Sequence, residues 1–283
     1  MTRALDTTPL AQLSELKLGR SRTALWWLGQ SSFALRGSGT TILVDPYLAP
    51  HDDRLVPPPF APPDATGVDV IACTHDHLDH LDDESLPGLA RASPQATIVV
   101  PEPVLGRVSA LGISAERIVG AQPGQPIELS AVTIHPVPAC HGVHPEDAYT
   151  FGRELSGGLC RYLGYVFELD GTRVYPAGDT ILYEGMEELV GGLVPDVALL
   201  PINGRDPERE ARDIVGNLDE SEAARLAAAL GVDLLVPMHY DMFAANPGSP
   251  GKLVELVLRD YPGPAVAVLS RERPFVYTKA PEG

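Results

Sequence analysis

The chain has 283 residues, 44% of them hydrophobic, and a formal net charge of −17. That apolar content is enough to bury a sizeable core; no run approaches the roughly 18 apolar residues of a membrane span, and the acidic excess argues against a nucleic-acid partner. The opening MTRALDTTPLAQLSELK lacks the apolar core of a signal peptide, and the three cysteines (Cys73, Cys140, Cys160) show no CxxC spacing, so a cytoplasmic location is expected.

In chain order, residues 1–20 read as a short helical or loose lead-in. Three β-like runs follow, TALWWLG (23–29), SFALRG (32–37) and TTILVDPYL (41–49), punctuated by Gly and Ser. PPPFAPPD (57–64) reads as a surface loop. VDVIAC (68–73) is apolar and β-branched, as in a strand buried on both faces, with Cys73 a small buried hydrophobe. TIVV (97–100), RIVG (117–120), IELSAVTIHPVPA (127–139) and CRYLGYVFEL (160–169) read as further strands. GTRVYPAGDT (171–180), PDVALLPING (195–204) and VDLLVPMHYD (232–241) each run from an apolar strand into polar residues. LDESEAARLAAAL (218–230) is the best helix, with Asn217 and Glu220 offering a capping box and Gly231 a stop. KLVELVLRDY (252–261) is a second helix. A strand-rich first half and an alternating second half suit a sheet sandwich with helices on its outer faces, in one domain spanning 1–283.

THDHLDH (74–80) carries the chemistry. It packs three His and two Asp directly after a buried strand. Imidazole and carboxylate are donors that divalent zinc, manganese and iron accept. His75 and His77 can turn toward one ion, and Asp79 and His80 can serve a second. One loop cannot complete a metal site, so further ligands are sought where apolar strands end: His141 after HPVPAC, Asp179 in YPAGDT and His239 after LLVPM. His144 competes with His141 for the third-ligand position and is otherwise a substrate-pocket candidate. His135 reads as a packed strand residue. Asn203 and Arg205 in PINGR, and Arg153 in FGRELSG, are candidates for holding a substrate phosphate or carboxylate. Tyr240, with Tyr183 and Asp241, is a further pocket candidate.

HxHxDH at 75–80, then His141, Asp179 in AGDT and His239, preceded by Asp45 in ILVDP, resembles the metallo-β-lactamase superfamily over nearly the whole chain. The resemblance implies a four-layer αβ/βα sandwich of class α/β. It implies two divalent ions, manganese or zinc: His75, His77 and His141 on one, Asp79, His80 and His239 on the other, with Asp179 bridging. Asp45, with Thr74, would orient a ligand His by hydrogen bonds. WWLGQSSFAL, ILVDPYL, TIHPVPA, PDVALLPINGR and VPMHYDMFAANP further resemble the L-ascorbate-6-phosphate lactonase branch, whose pattern differs in an acidic residue at the place of His141. That branch opens lactones and forms cyclic oligomers. The implied activity is hydrolysis of a lactone or carboxylic ester, including one on a phosphorylated sugar, by a metal-bridging hydroxide with Asp79 and Asp179 as catalytic carboxylates; the partner is a small molecule, and self-association is implied. Competing expectations are a metal-dependent phosphodiesterase, an iron-dependent persulfide dioxygenase-like enzyme and a non-catalytic metal-binding protein.

Overall fold

The structure is a computed structural model and describes residues 8–37, 39–142, 160–204, 207–211 and 216–280. Within the lead-in lies a short helix, α1 (Pro9–Glu15): Thr8 caps it, accepting from the Ala11 amide at 3.3 Å, and Leu10 and Leu13 are buried. Then come β1 (Arg22–Gly29), β2 (Ser32–Arg36), β3 (Thr41–Val44), β4 (Val70–Ala72), α2 (Leu86–Ala92), β5 (Thr97–Pro101), α3 (Leu105–Ala110) and β6 (Ile118–Ala121). The second half contains β7 (Ile127–Leu129), β8 (Val132–Pro138), β9 (Leu163–Leu169), β10 (Thr172–Pro176), α4 (Met186–Gly191), β11 (Val197–Pro201), α5 (Pro207–Ala211), α6 (Glu220–Leu230), β12 (Leu234–Met238), α7 (Pro250–Asp260), β13 (Ala265–Val266) and β14 (Phe275–Thr278).

Two seven-stranded sheets form, ordered β14-β1-β2-β3-β4-β5-β6 and β13-β12-β11-β10-β9-β8-β7. Strand periodicity sorts their side chains into layers. Leu25 and Trp27 of β1, with Phe33, Ile42 and Val70, face Ile134, Tyr165, Phe167, Val174 and Val236 of the other sheet. The alternate residues Ala24, Trp26 and Leu28 face outward onto Leu10, Leu13, Leu86, Leu89 and Val108 of the helices. On the far side Tyr175, Ala198, Leu200 and Leu235 pack on Met186, Ala223, Ala227, Leu253 and Val257. Both sheets are therefore covered twice, which explains why their strands read as continuous apolar runs. The result is the α/β sandwich expected, helix layers outside two sheets.

Several element ends differ from the sequence expectation. β3 stops at Val44 because Asp45 takes φ 44°, outside the extended region. The run 127–139 is two antiparallel strands, Ile127 opposite Ile134, turning at Ser130 and Ala131. The cap of α6 is Asp219, which accepts from the Glu222 amide at 2.7 Å while the Glu222 carboxylate accepts from the Asp219 amide at 3.1 Å. Asn217 does not cap: its side chain is buried and donates to Asn203 Oδ1 at 3.1 Å.

Strand direction positions the site. β3, β4, β5 and β6 are parallel in the first sheet, and β10, β11, β12 and β13 in the second. β8 and β10 are both antiparallel to β9, so they share a direction. The carboxyl ends of β3 and β4 thus deliver Asp45 and residues 74–80, and those of β8, β10, β11 and β12 deliver His141, Asp179, Asn203 and His239, where ligands bind in open α/β sheets.

Candidate metal centre

The loop after β4 is pinned before any ligand is considered. The Asp76 carboxylate accepts two hydrogen bonds from the Arg161 guanidinium, each 2.8 Å, and the Asp76 carbonyl accepts from Arg107. Asp82 accepts from the amides of Leu48 and Ala49, at 3.3 and 2.9 Å, tying this loop to the one after β3. Tyr162 is fully buried, its ring 5.2 Å from that of His75 and 5.5 Å from that of His141.

On this frame three donor groups converge: His75, His77 and His141; His75, His80 and Asp179; and Asp79, His80 and His239, the donor atoms within each group lying within 4.8 Å of one another. Asp179 stands between them. Its Oδ2 lies 3.3 Å from His141 Nε2 and 3.2 Å from His239 Nε2, and its Oδ1 lies 3.4 Å from His80 Nε2. Gly178 makes this approach feasible. It takes φ 64°, and a Cβ there would lie 2.9 Å from that of Thr74.

Surrounding acceptors fix the ring orientations. His80 donates Nδ1–H to Asp45 Oδ2 at 2.7 Å, leaving Nε2 toward the centre. Asp45 also accepts from the Thr74 amide at 2.7 Å and the Thr74 hydroxyl at 2.8 Å. His141 donates Nδ1–H to the Gly216 carbonyl at 2.6 Å. Only glycine admits that carbonyl so closely, since a Cβ on residue 216 would sit 2.7 Å from the His141 ring.

Titration holds His75, His77 and the carboxylates of Asp79 and Asp179 in ligating forms, while His239 carries a proton that a metal would displace. Burial pushes the His75 imidazole well below its usual value, and burial together with His141 pushes His77 down to about 4. Burial opposes ionisation of Asp179 and Asp79, but the facing His239 and His80 outweigh it and hold both carboxyls below the usual range. Burial likewise opposes the charge on His239, and the two carboxylates overcome it, raising His239 to about 9.

The fit of a divalent ion rests on what these donors lack. His75 Nε2, His80 Nε2 and Asp179 Oδ1 are buried with no hydrogen-bond partner among the described residues. A buried unsatisfied polar atom ordinarily costs about 1–3 kcal/mol, and here three point into one centre. The donors are nitrogen and oxygen; Cys140, beside His141, turns its thiol to the Gly142 carbonyl at 3.2 Å. Such a set suits zinc, manganese or iron.

A cleft of about 340 Å³ opens on the centre. Asp79, His141, Asp179 and His239 form one wall; Asn203, Asn217, Arg209 and Asn246 line the remainder, with Arg209 donating to Asn246 Oδ1 at 2.5 Å. His144, Arg153 and Arg205 lie outside the described residues. The Tyr240 ring lies 5.0 Å from that of Trp27, tilted by 32°, and packs against the core. Tyr183 donates its hydroxyl to the Pro138 carbonyl at 2.6 Å, and Asp241 pairs with Arg271. Sequence reasoning missed Gln30, whose Nε2 donates to Asp79 Oδ2 at 2.7 Å, and also Arg209, Gly216 and Asn246.

Comparison with known proteins agrees with this geometry. Residues 40–240 match the family described as the Beta-lactamase superfamily domain. A UPF0173 metal-dependent hydrolase of Methanoculleus marisnigri is 34% identical over 221 residues, covering 78% of this chain and 82% of that protein. One from Myxococcus xanthus is 31% identical over 236 residues, covering 83% and 76%. Among solved structures, a metallo hydrolase from Ignicoccus hospitalis shares the fold with a TM-score of 0.69 at 24% identity, covering 92% of this chain and 100% of that one. From the family match, these identities and the two-sheet architecture it follows that the chain belongs to the beta-lactamase superfamily and, within it, to the UPF0173 family of metal-dependent hydrolases.

Proposed function

We propose that the chain is a dinuclear metal-dependent hydrolase that opens a small, polar lactone or carboxylic ester, including one carried on a phosphorylated sugar. The observation that carries this reading is the Asp179 carboxylate, within 3.2–3.4 Å of His80, His141 and His239 and so within reach of both outer triads. His75, His77 and His141 would hold one ion, Asp79, His80 and His239 the other, and Asp179 both. Divalent ions, manganese or zinc, supply Lewis acidity and make water a competent nucleophile near neutral pH.

The protein's own groups do the rest. Asp79 and Asp179 face the cleft as carboxylates, so they can accept a hydrogen bond from the attacking water and fix its direction. Asp45 and the Gly216 carbonyl prevent the imidazoles from turning. Asn203, Asn217 and Asn246 offer carboxamides to substrate hydroxyls, and the Arg209 guanidinium suits a carboxylate or phosphate. This polar lining favours a sugar-like substrate over an acyl chain. The blocks WWLGQSSFAL, PDVALLPINGR and VPMHYDMFAANP, which resemble the ascorbate-6-phosphate lactonase branch, support the same choice.

The test is a turnover panel on manganese- and zinc-loaded protein: phosphorylated sugar lactones, neutral lactones, carboxylic esters and bis(p-nitrophenyl) phosphate. Lactone or ester turnover that vanishes in Asp179→Ala is expected. Turnover of the phosphodiester alone would sink the proposal, as would oxygen consumption by an iron-loaded protein with no hydrolysis.

A further inference from the structure

Gln30 sits in the turn between β1 and β2, 1% exposed, with φ 53° just after Gly29 at φ 103°. A non-glycine residue in the left-handed region persists only where its surroundings over-determine it. Here the backbone is held at both ends. The Gln30 amide donates to Asp241 Oδ1 at 3.1 Å, and its carbonyl accepts from Trp27 Nε1 at 2.9 Å and from the His239 amide at 3.1 Å. His239 itself takes φ 61°. Two left-handed residues are thus joined directly by a main-chain hydrogen bond.

This turn aims one side chain. Gln30 Nε2 donates to Asp79 Oδ2 at 2.7 Å and lies 3.0 Å from His239 Nε2. Asp79 Oδ2 is also the oxygen nearest the imidazoles, 3.4 Å from His239 Nε2 and 3.8 Å from His80 Nε2. A carboxylate oxygen has two lone pairs. The neutral carboxamide takes one, adds no charge, and leaves the other for the centre.

We propose that Gln30 is a positioning residue of the second triad: it fixes the Asp79 carboxylate and abuts His239, so that Asp79, His80 and His239 stand ready for one ion together. The proposal rests on the two-ion reading above. Its signature is selectivity between sites, because among the described residues Gln30 contacts Asp79 and His239 but no member of the His75, His77 and His141 triad.

Calorimetric titration of metal-free protein with Mn²⁺ tests it. The wild type should show two binding events. Gln30→Ala should weaken one of them about 10–100-fold, the usual effect of removing a group that orients a ligand, and leave the other unchanged. Gln30→Asn keeps an amide and tolerates the left-handed backbone but is one methylene too short. It should behave like Gln30→Ala toward Mn²⁺, and a cooperative melt of the metal-free variant shows that it still folds. In a His77→Ala background, which disables the first triad, the single remaining event should carry the whole loss. Equal weakening of both events, or two wild-type affinities in Gln30→Ala, overturns the proposal. A wild type that binds a single Mn²⁺ overturns the two-ion reading and this proposal with it.

Discussion

Asp45 shows how much one side chain can be asked to do. At φ 44° it ends β3, and its carboxylate then serves the Thr74 amide, the Thr74 hydroxyl and His80 Nδ1. Asp45→Asn keeps the backbone, since Asn tolerates the left-handed region, but removes the charge facing His80. Affinity for Mn²⁺ should fall about 10–100-fold, read by titration of metal-free protein. The cluster also predicts a pH response. His239 is raised to about 9, so in chelated protein the stability it adds is complete below its ordinary value of 6.5 and disappears as pH rises to about 9. His77 is lowered to about 4, so stability is also lost as pH falls from 6.5, where the unfolded chain takes up a proton that the fold refuses. Melting temperature in chelator should therefore peak near pH 6.5. Adding Mn²⁺ should abolish the alkaline decline, because the ion displaces the proton on His239; an alkaline decline that persists with metal would contradict this account.

At the scale of elements, α6 separates two roles that the sequence ran together. Asp219 is the cap, and Asn217 belongs to the cleft through Asn203. Asp219→Ala should cost about 1 kcal/mol of stability, measured by urea unfolding, with turnover unchanged. Asn217→Ala should raise KM, because it removes a cleft carboxamide and frees its partner Asn203. The strands were legible because doubly covered sheets demand apolar runs. Their ends were not, since hydrophobicity continues past the hydrogen-bonded segment, as in ILVDPYL, and since the β7–β8 turn at Ser130 and Ala131 carries no Gly, Asn or Pro to announce it. The site divides the same way. Residues 75–80 are local in sequence and were plain. His141, Asp179 and His239 were visible as polar residues at strand ends. Gln30, 49 residues from Asp79 and 209 from His239, could be found only once the sheets were assembled.

At the scale of the whole molecule, the donors come from both sheets. His75, His77, Asp79 and His80 follow β4 of the first; His141, Asp179 and His239 follow β8, β10 and β12 of the second. An ion bound only by the folded state stabilises it by about 4.1 kcal/mol at a thousand times its Kd. Loading with Mn²⁺ or Zn²⁺ should raise Tm in a concentration-dependent way, and His77→Ala should remove part of that rise. Scanning calorimetry with and without chelator measures both.

The order of the strands carries a further consequence. Among the described strands, β1 to β6 build one sheet, β7 to β13 build the other, and only β14 crosses back to pair with β1. The link between β6 and β7, residues 122–126, is therefore a natural place to cut the chain into two pieces, each carrying part of the ligand set. The two pieces would reassemble through the apolar faces packed between the sheets and through the pairing of β14 with β1. The ions they share would tighten that assembly, and a chelator would loosen it to the strength of the apolar interface alone.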